Sequence, residues 1–134
     1  MRTQMLSKKL NPAIFNSIPL SDDLGLFKKT GKPDYDKVKD ILGYTNRDIS
    51  VASGVPFGSI RFDGKVPAEL TERVIEWATA IALVHSFFKD QTKTMLWFKV
   101  PNQMLGDVSP RDMIKVGRFK KLLKFIQSAL EEGG

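Results

Sequence analysis

Apolar residues along this chain recur at helical spacing, and no segment alternates apolar and polar positions as a strand would. From Asp34 onward, Tyr35, Val38, Ile41 and Leu42 fall on one face of a helix that Gly43 can end. Thr45 then caps a second helix, with Asp48 completing a capping-box-like pair and Ile49 and Ala52 facing inward, until Gly54 breaks it. Val55 begins a third element that contains Phe57, Ser59, Ile60 and Arg61. The spacing of Ile49, Gly54, Val55 and Ile60 predicts a helix-turn-helix: glycine permits the tight turn, and apolar residues on either side hold the second helix across the first. Gly58 and the run Phe62-Asp63-Gly64 shorten that second helix. A competent helix-turn-helix and a degenerate one kept as a packing unit both stay open.

Val66-Pro67-Ala68-Glu69 opens the longest helix, which runs to about Lys89. Leu70, Val74, Trp77, Ile81, Val84 and Phe88 form one stripe, and Ile75, Ala78, Ala82, Leu83 and Phe87 widen it enough to bury the helix on two sides. The second face packs in the core or against another copy of the chain. Asp90 caps a further helix carrying Met95, Leu96 and Phe98 to a break at Pro101, Asn102 and Gly106. Ser109 as N-cap, Pro110 at the first helical position and Asp112 at the third start a short helix of about two turns that Gly117 closes. Phe119, Leu122, Leu123, Phe125, Ile126 and Leu130 mark a terminal helix. The expected fold is all-α, with six or seven helices: a helix-turn-helix-like bundle over 34–65, joined by the long helix to a small C-terminal helical domain within 66–134. Residues 1–33 hold no sustained period and read as an arm. Phe15, Ile18, Leu20, Leu24, Leu26 and Phe27 make it apolar enough that part should pack on the body or on a partner subunit.

At 134 residues, 42% of them hydrophobic, the chain can build a real core. No apolar run approaches the roughly 20 residues of a membrane span, no secretion signal is evident at Met1-Arg2-Thr3-Gln4, and cysteine is lacking, so a cytoplasmic protein without disulfides or thiolate-bound metal is expected. The formal charge of +6 favours polyanionic partners such as DNA. Arg111, Lys115, Arg118, Lys120, Lys121 and Lys124 crowd the last helices, as a solvated face or as a binding one. His85 lies beside an apolar stripe with no second histidine or cysteine to form a metal pair, the acids are scattered among lysines, and Gly54 to Gly58 lacks the lysine of a phosphate loop. No catalysis, cofactor, metal or small-molecule substrate is expected. If the helix-turn-helix forms, Arg47, Pro56, Phe57, Ser59 and Arg61 are the residues to meet operator DNA.

The punctuation between Trp97 and Arg118 carries a further signal. Trp97, then Pro101-Asn102, Leu105-Gly106, Ser109-Pro110 and Gly117 followed by a basic residue resemble the C-terminal toxin-binding domain of Xre/MbcA/ParS-type bacterial antitoxins, and with the residues upstream the resemblance covers roughly Tyr35 to Gly133. It implies an antitoxin that binds and blocks a RES-type, NAD-consuming toxin and represses its own operon; a homodimer is expected separately, because a basic helix-turn-helix protein commonly pairs to match two half-sites on DNA. Trp97, Pro101, Asn102, Leu105, Gly106, Ser109, Pro110 and Gly117 would then serve as scaffold, while Arg118, Lys121, Lys124, Gln127, Leu130 and Gly133 of the terminal helix would face the toxin. The alternatives are a stand-alone dimeric helix-turn-helix regulator without a toxin partner and an adaptor whose DNA-binding half is vestigial.

Overall fold

The computed structural model describes residues 22–133. Phe15, Ile18 and Leu20 of the expected arm lie outside that range. Among the described residues there are six α-helices and no strand: α1 (Tyr35–Leu42), α2 (Asn46–Ser53), α3 (Ala68–Phe88), α4 (Gln91–Lys99), α5 (Pro110–Lys115) and α6 (Phe119–Gly133). Two single 3₁₀ turns, Phe57–Ser59 and Gln103–Leu105, interrupt the connections. The protein is all-α.

Local sequence sets the helix ends. Asp34 accepts a hydrogen bond from the Lys37 N–H at 3.1 Å at the start of α1, and Gly43 ends it at φ 68°. The N–H groups of Gly43 and Tyr44 donate to the carbonyls of Asp40 and Lys39, the two bonds of a Schellman turn that only a left-handed residue permits. At α2 the expected capping box forms in both directions, Asp48 N–H to Thr45 Oγ1 at 3.1 Å and Thr45 N–H to Asp48 Oδ2 at 2.9 Å. Leu24 and Leu26 are buried, so the described part of the arm packs on the body. It is tied to α1 by Lys37 Nζ donating to the Leu24 carbonyl at 2.7 Å.

The second helix expected from Val55 does not form. Pro56 is extended (ψ 141°) and offers no N–H, the chain makes one 3₁₀ turn through Phe57, Gly58 and Ser59, and Ile60 is extended again (ψ 110°). Val55 is instead a buried plug under the exit of α2. Its N–H donates to Ser53 Oγ and its carbonyl accepts from Ser50 Oγ. The helix-turn-helix expectation is therefore corrected to a helix followed by a turn.

α3 is the centre of the molecule, with α1, α2, α4 and α6 packed on it. Every residue from Trp77 to Val84 is buried, which leaves the middle of the helix no free face for a second copy of the chain. Ala78, Ala80 and Ala82 let neighbours approach closely on the sides that Trp77, Ile81 and Leu83 do not fill. The short α5 packs on α2, α4 and α6. The buried residues form one continuous cluster from Leu24 to Ile126, to which segments 34–65 and 66–134 both contribute.

Candidate functional site

The turn between α4 and α5 is built around Asn102. Val100 is extended ahead of Pro101, as a residue preceding proline must be, and α4 stops there. The Asn102 N–H donates to the Val108 carbonyl at 3.2 Å, and its own carbonyl accepts from Leu105 and Asp107, both at 2.9 Å. Its side-chain Oδ1 accepts from the Met104 N–H at 2.8 Å. One asparagine thus satisfies the 3₁₀ turn from both ends, while Gly106 and Asp107 reverse the chain at φ 77° and 65°. Ser109, almost fully buried, caps α5 by accepting from the Asp112 N–H at 3.3 Å. The Asp112 carboxylate approaches Lys115 Nζ, at 4.0 Å. Gly117 closes α5 at φ 86°, with Arg118 N–H donating to Met113 O at 2.8 Å.

This turn holds an apolar surface in place. Phe87, Leu96, Val100 and Met104 are 56%, 53%, 50% and 78% exposed, an uncommon concentration of large apolar groups at one end of a small protein. Two grooves meet there and share Phe88, Trp97 and Asn102. One, of about 210 Å³, runs between the end of α3 and α6 and is lined by Val84, Phe87, Phe125 and Leu130. The other, of about 550 Å³, passes over Lys93, Leu96, Val100 and Met104. Trp97 is half-buried, set edge-on to Phe98 at 5.0 Å. Phe87, expected on the wider face of the long helix that packs in the core or against another copy, is exposed, and so is Leu96. Three consecutive large apolar residues, Leu96, Trp97 and Phe98, cannot all turn inward on a helix that rotates about 100° per residue, and that surplus was the available signal.

The cations divide into two groups. Arg111 and Lys115 are structural: Arg111 Nη1 donates to the carbonyls of Leu42 and Gly43, both at 3.1 Å, capping the negative end of α1. Tyr44 Oη donates to the Arg111 carbonyl, and burial pushes that phenol well above its usual pKa. Lys115 Nζ pairs with Asp48 at 3.1 Å. The Asp48 carboxyl is held below its ordinary value, first by the Thr45 N–H and then by Lys115. Arg118, Lys120, Lys121 and Lys124 are exposed. The residues assigned to a toxin do not form one surface: Arg118 and Lys121 line a cleft at the start of α6, Lys124 is solvent-facing, Gln127 is half-buried, and Leu130 lies in the apolar groove near Gly133, where α6 ends. Of the residues assigned to DNA, Arg47 lies over the Phe57 ring at 4.9 Å, and Pro56, Phe57, Ser59 and Arg61 are all exposed on or beside the 3₁₀ turn.

His85 is half-buried near the end of α3. Among the described residues no three His, Cys, Asp or Glu side chains are grouped to hold a metal ion, and no helix is long and apolar enough to cross a membrane. No protein-family model matches the chain, and no curated protein matches it. Among solved structures it is similar to a chain of the crystal structure of the M. tuberculosis MbcT–MbcA toxin–antitoxin complex, at 21% sequence identity, covering 73% of this chain and 90% of that chain with a TM-score of 0.47.

Proposed function

We propose that the protein is a non-catalytic antitoxin that binds and blocks a RES-type, NAD-consuming toxin through the apolar surface around the Trp97–Gly106 turn. The observation that carries this reading is the exposure of Phe87, Leu96, Val100 and Met104 around two grooves that share Trp97. Aromatic and thioether groups beside preformed grooves are what a tight protein partner uses as anchors. The residues that carry the resemblance to antitoxins, Trp97, Pro101, Asn102, Leu105 and Gly106, hold that surface, and Leu130 places the end of α6 against it. Lys93 on the rim and Lys124 on α6 steer an acidic partner. Inhibition follows by covering the toxin's NAD cleft.

The same reading has the protein repress its own operon as a pair of copies on DNA. With no groove-reading helix between α2 and α3, the exposed Arg47, Ser59 and Arg61 suit phosphate contacts, and this favours a toxin partner over a stand-alone regulator. Co-expression with a RES-type toxin tests the proposal. Leu96→Glu and Met104→Glu, both at exposed positions, should leave helicity and melting temperature unchanged yet abolish protection of growth and co-purification of the toxin. Full protection by the folded double variant would remove this surface from the mechanism.

A further inference from the structure

A separate cleft of about 580 Å³ opens on another side of the molecule, between α2, the first half of α3 and the start of α6. Four cations line it: Arg73 from α3, Arg118 just before α6, and Lys120 and Lys121 from the first turn of α6. Its one acid is Glu76, which is buried and 3.4 Å from Arg73 Nε. That Nε is buried without a hydrogen-bond partner, and Arg73 Nη2 reaches the more exposed Glu72 at 3.6 Å. Trp77, Ile114 and Phe119 make the apolar part of the wall.

The placement of the α6 cations runs against local electrostatics. The helix has no acidic residue in its first turn, where the dipole favours one, and instead carries Lys120 and Lys121 there with Arg118 just ahead of them. Self-repulsion of this kind around a concave opening is relieved by a multiply charged anion, and a volume of this size lies in the range of small-molecule sites. A duplex backbone would instead call for a cationic stripe on an open face.

We propose that this cleft binds a small phosphorylated anion with two or more negative charges, held by Arg73, Arg118, Lys120 and Lys121. Guanidinium groups suit phosphoryl oxygens, and the lysines supply point charges. The site shares no lining residue with the apolar grooves and stands independently of the toxin reading.

Titration of the full-length protein with pyrophosphate at constant ionic strength, followed by ¹⁵N NMR, tests it. The amides of Gly117 to Lys121 and the Arg73 Nε–H should shift saturably, with half-saturation below about 1 mM. Lys120→Gln with Lys121→Gln should weaken binding by about tenfold, whereas Lys28→Gln with Lys29→Gln, which removes the same charge from an exposed loop, should not. Melting temperatures confirm that both double variants fold. Linear shifts without saturation, or equal weakening by the two double variants, would reduce the effect to net charge and overturn the site. Displacement of pyrophosphate by stoichiometric duplex DNA would overturn the small-molecule occupant in favour of a nucleic-acid backbone.

Discussion

Gly43 and Gly54 are both left-handed residues at helix ends, at φ 68° and 79°, yet their surroundings differ. A Cβ at Gly54 would meet open space, whereas one at Gly43 would lie 2.9 Å from Arg111 Nη1 and 3.0 Å from Lys99 Cε. Gly54→Ala should therefore lose only the backbone term, about 1 to 2 kcal/mol. Gly43→Ala should lose about 1 kcal/mol more as Arg111 is displaced from the carbonyls of Leu42 and Gly43, a difference that urea midpoints would register. Equal losses would mean that Arg111 shifts and keeps its bonds. Asp48 supplies a pH test of the neighbouring clamp. Its carboxyl is held low in the folded state, so the stability it contributes is complete above the ordinary carboxylate range and drains away as pH falls below about 4. Asp48→Asn should melt lower than the parent near pH 6, and the gap should close toward pH 2.

At the level of elements, helices whose ends are set by neighbouring residues were legible in the sequence. Asp34, Thr45, Asp90 and Ser109 each accept a hydrogen bond from an N–H three residues on, and glycine or proline stops the segments they open. What the pattern could not give was the side an apolar residue faces once packing is complete. Leu96 and Phe87 carry the same signature as core residues, because hydrophobicity alone does not separate a core from a docking surface. Likewise the role of Arg111 depended on α1 and α5 meeting across 68 residues of sequence. The expected helix-turn-helix gives way to a helix and a turn because the spacing of Ile49, Val55 and Ile60 is equally satisfied by an exposed turn that buries Val55 alone, and Pro56 with Gly58 tips the balance toward it. On the DNA-binding half of the proposal, Arg61→Ala should reduce the salt slope of binding by about one and weaken promoter and scrambled duplexes alike. A loss confined to the promoter duplex would mean that the 3₁₀ turn reads a base after all.

Across the whole molecule the two tryptophans report on different things. Trp77 is buried in the shared core, edge-on to Tyr44 at 5.7 Å, whereas Trp97 is half-buried at the junction of the two apolar grooves. One continuous core makes a single cooperative unfolding transition the expectation, so Trp97→Phe and Trp77→Phe, each leaving one indole, should give urea transitions that coincide with loss of helical circular dichroism. Trp77→Phe will be the less stable of the two, since it replaces a side chain in a fully packed site. Partner binding should separate the probes. If a toxin covers the grooves, the emission of Trp97, seen alone in Trp77→Phe, should shift to the blue as water leaves its ring, while that of Trp77, seen alone in Trp97→Phe, should stay fixed because its surroundings are already dry. A toxin that binds tightly and moves neither indole would be docking elsewhere, and the exposed cations of α6 would then be the first place to look.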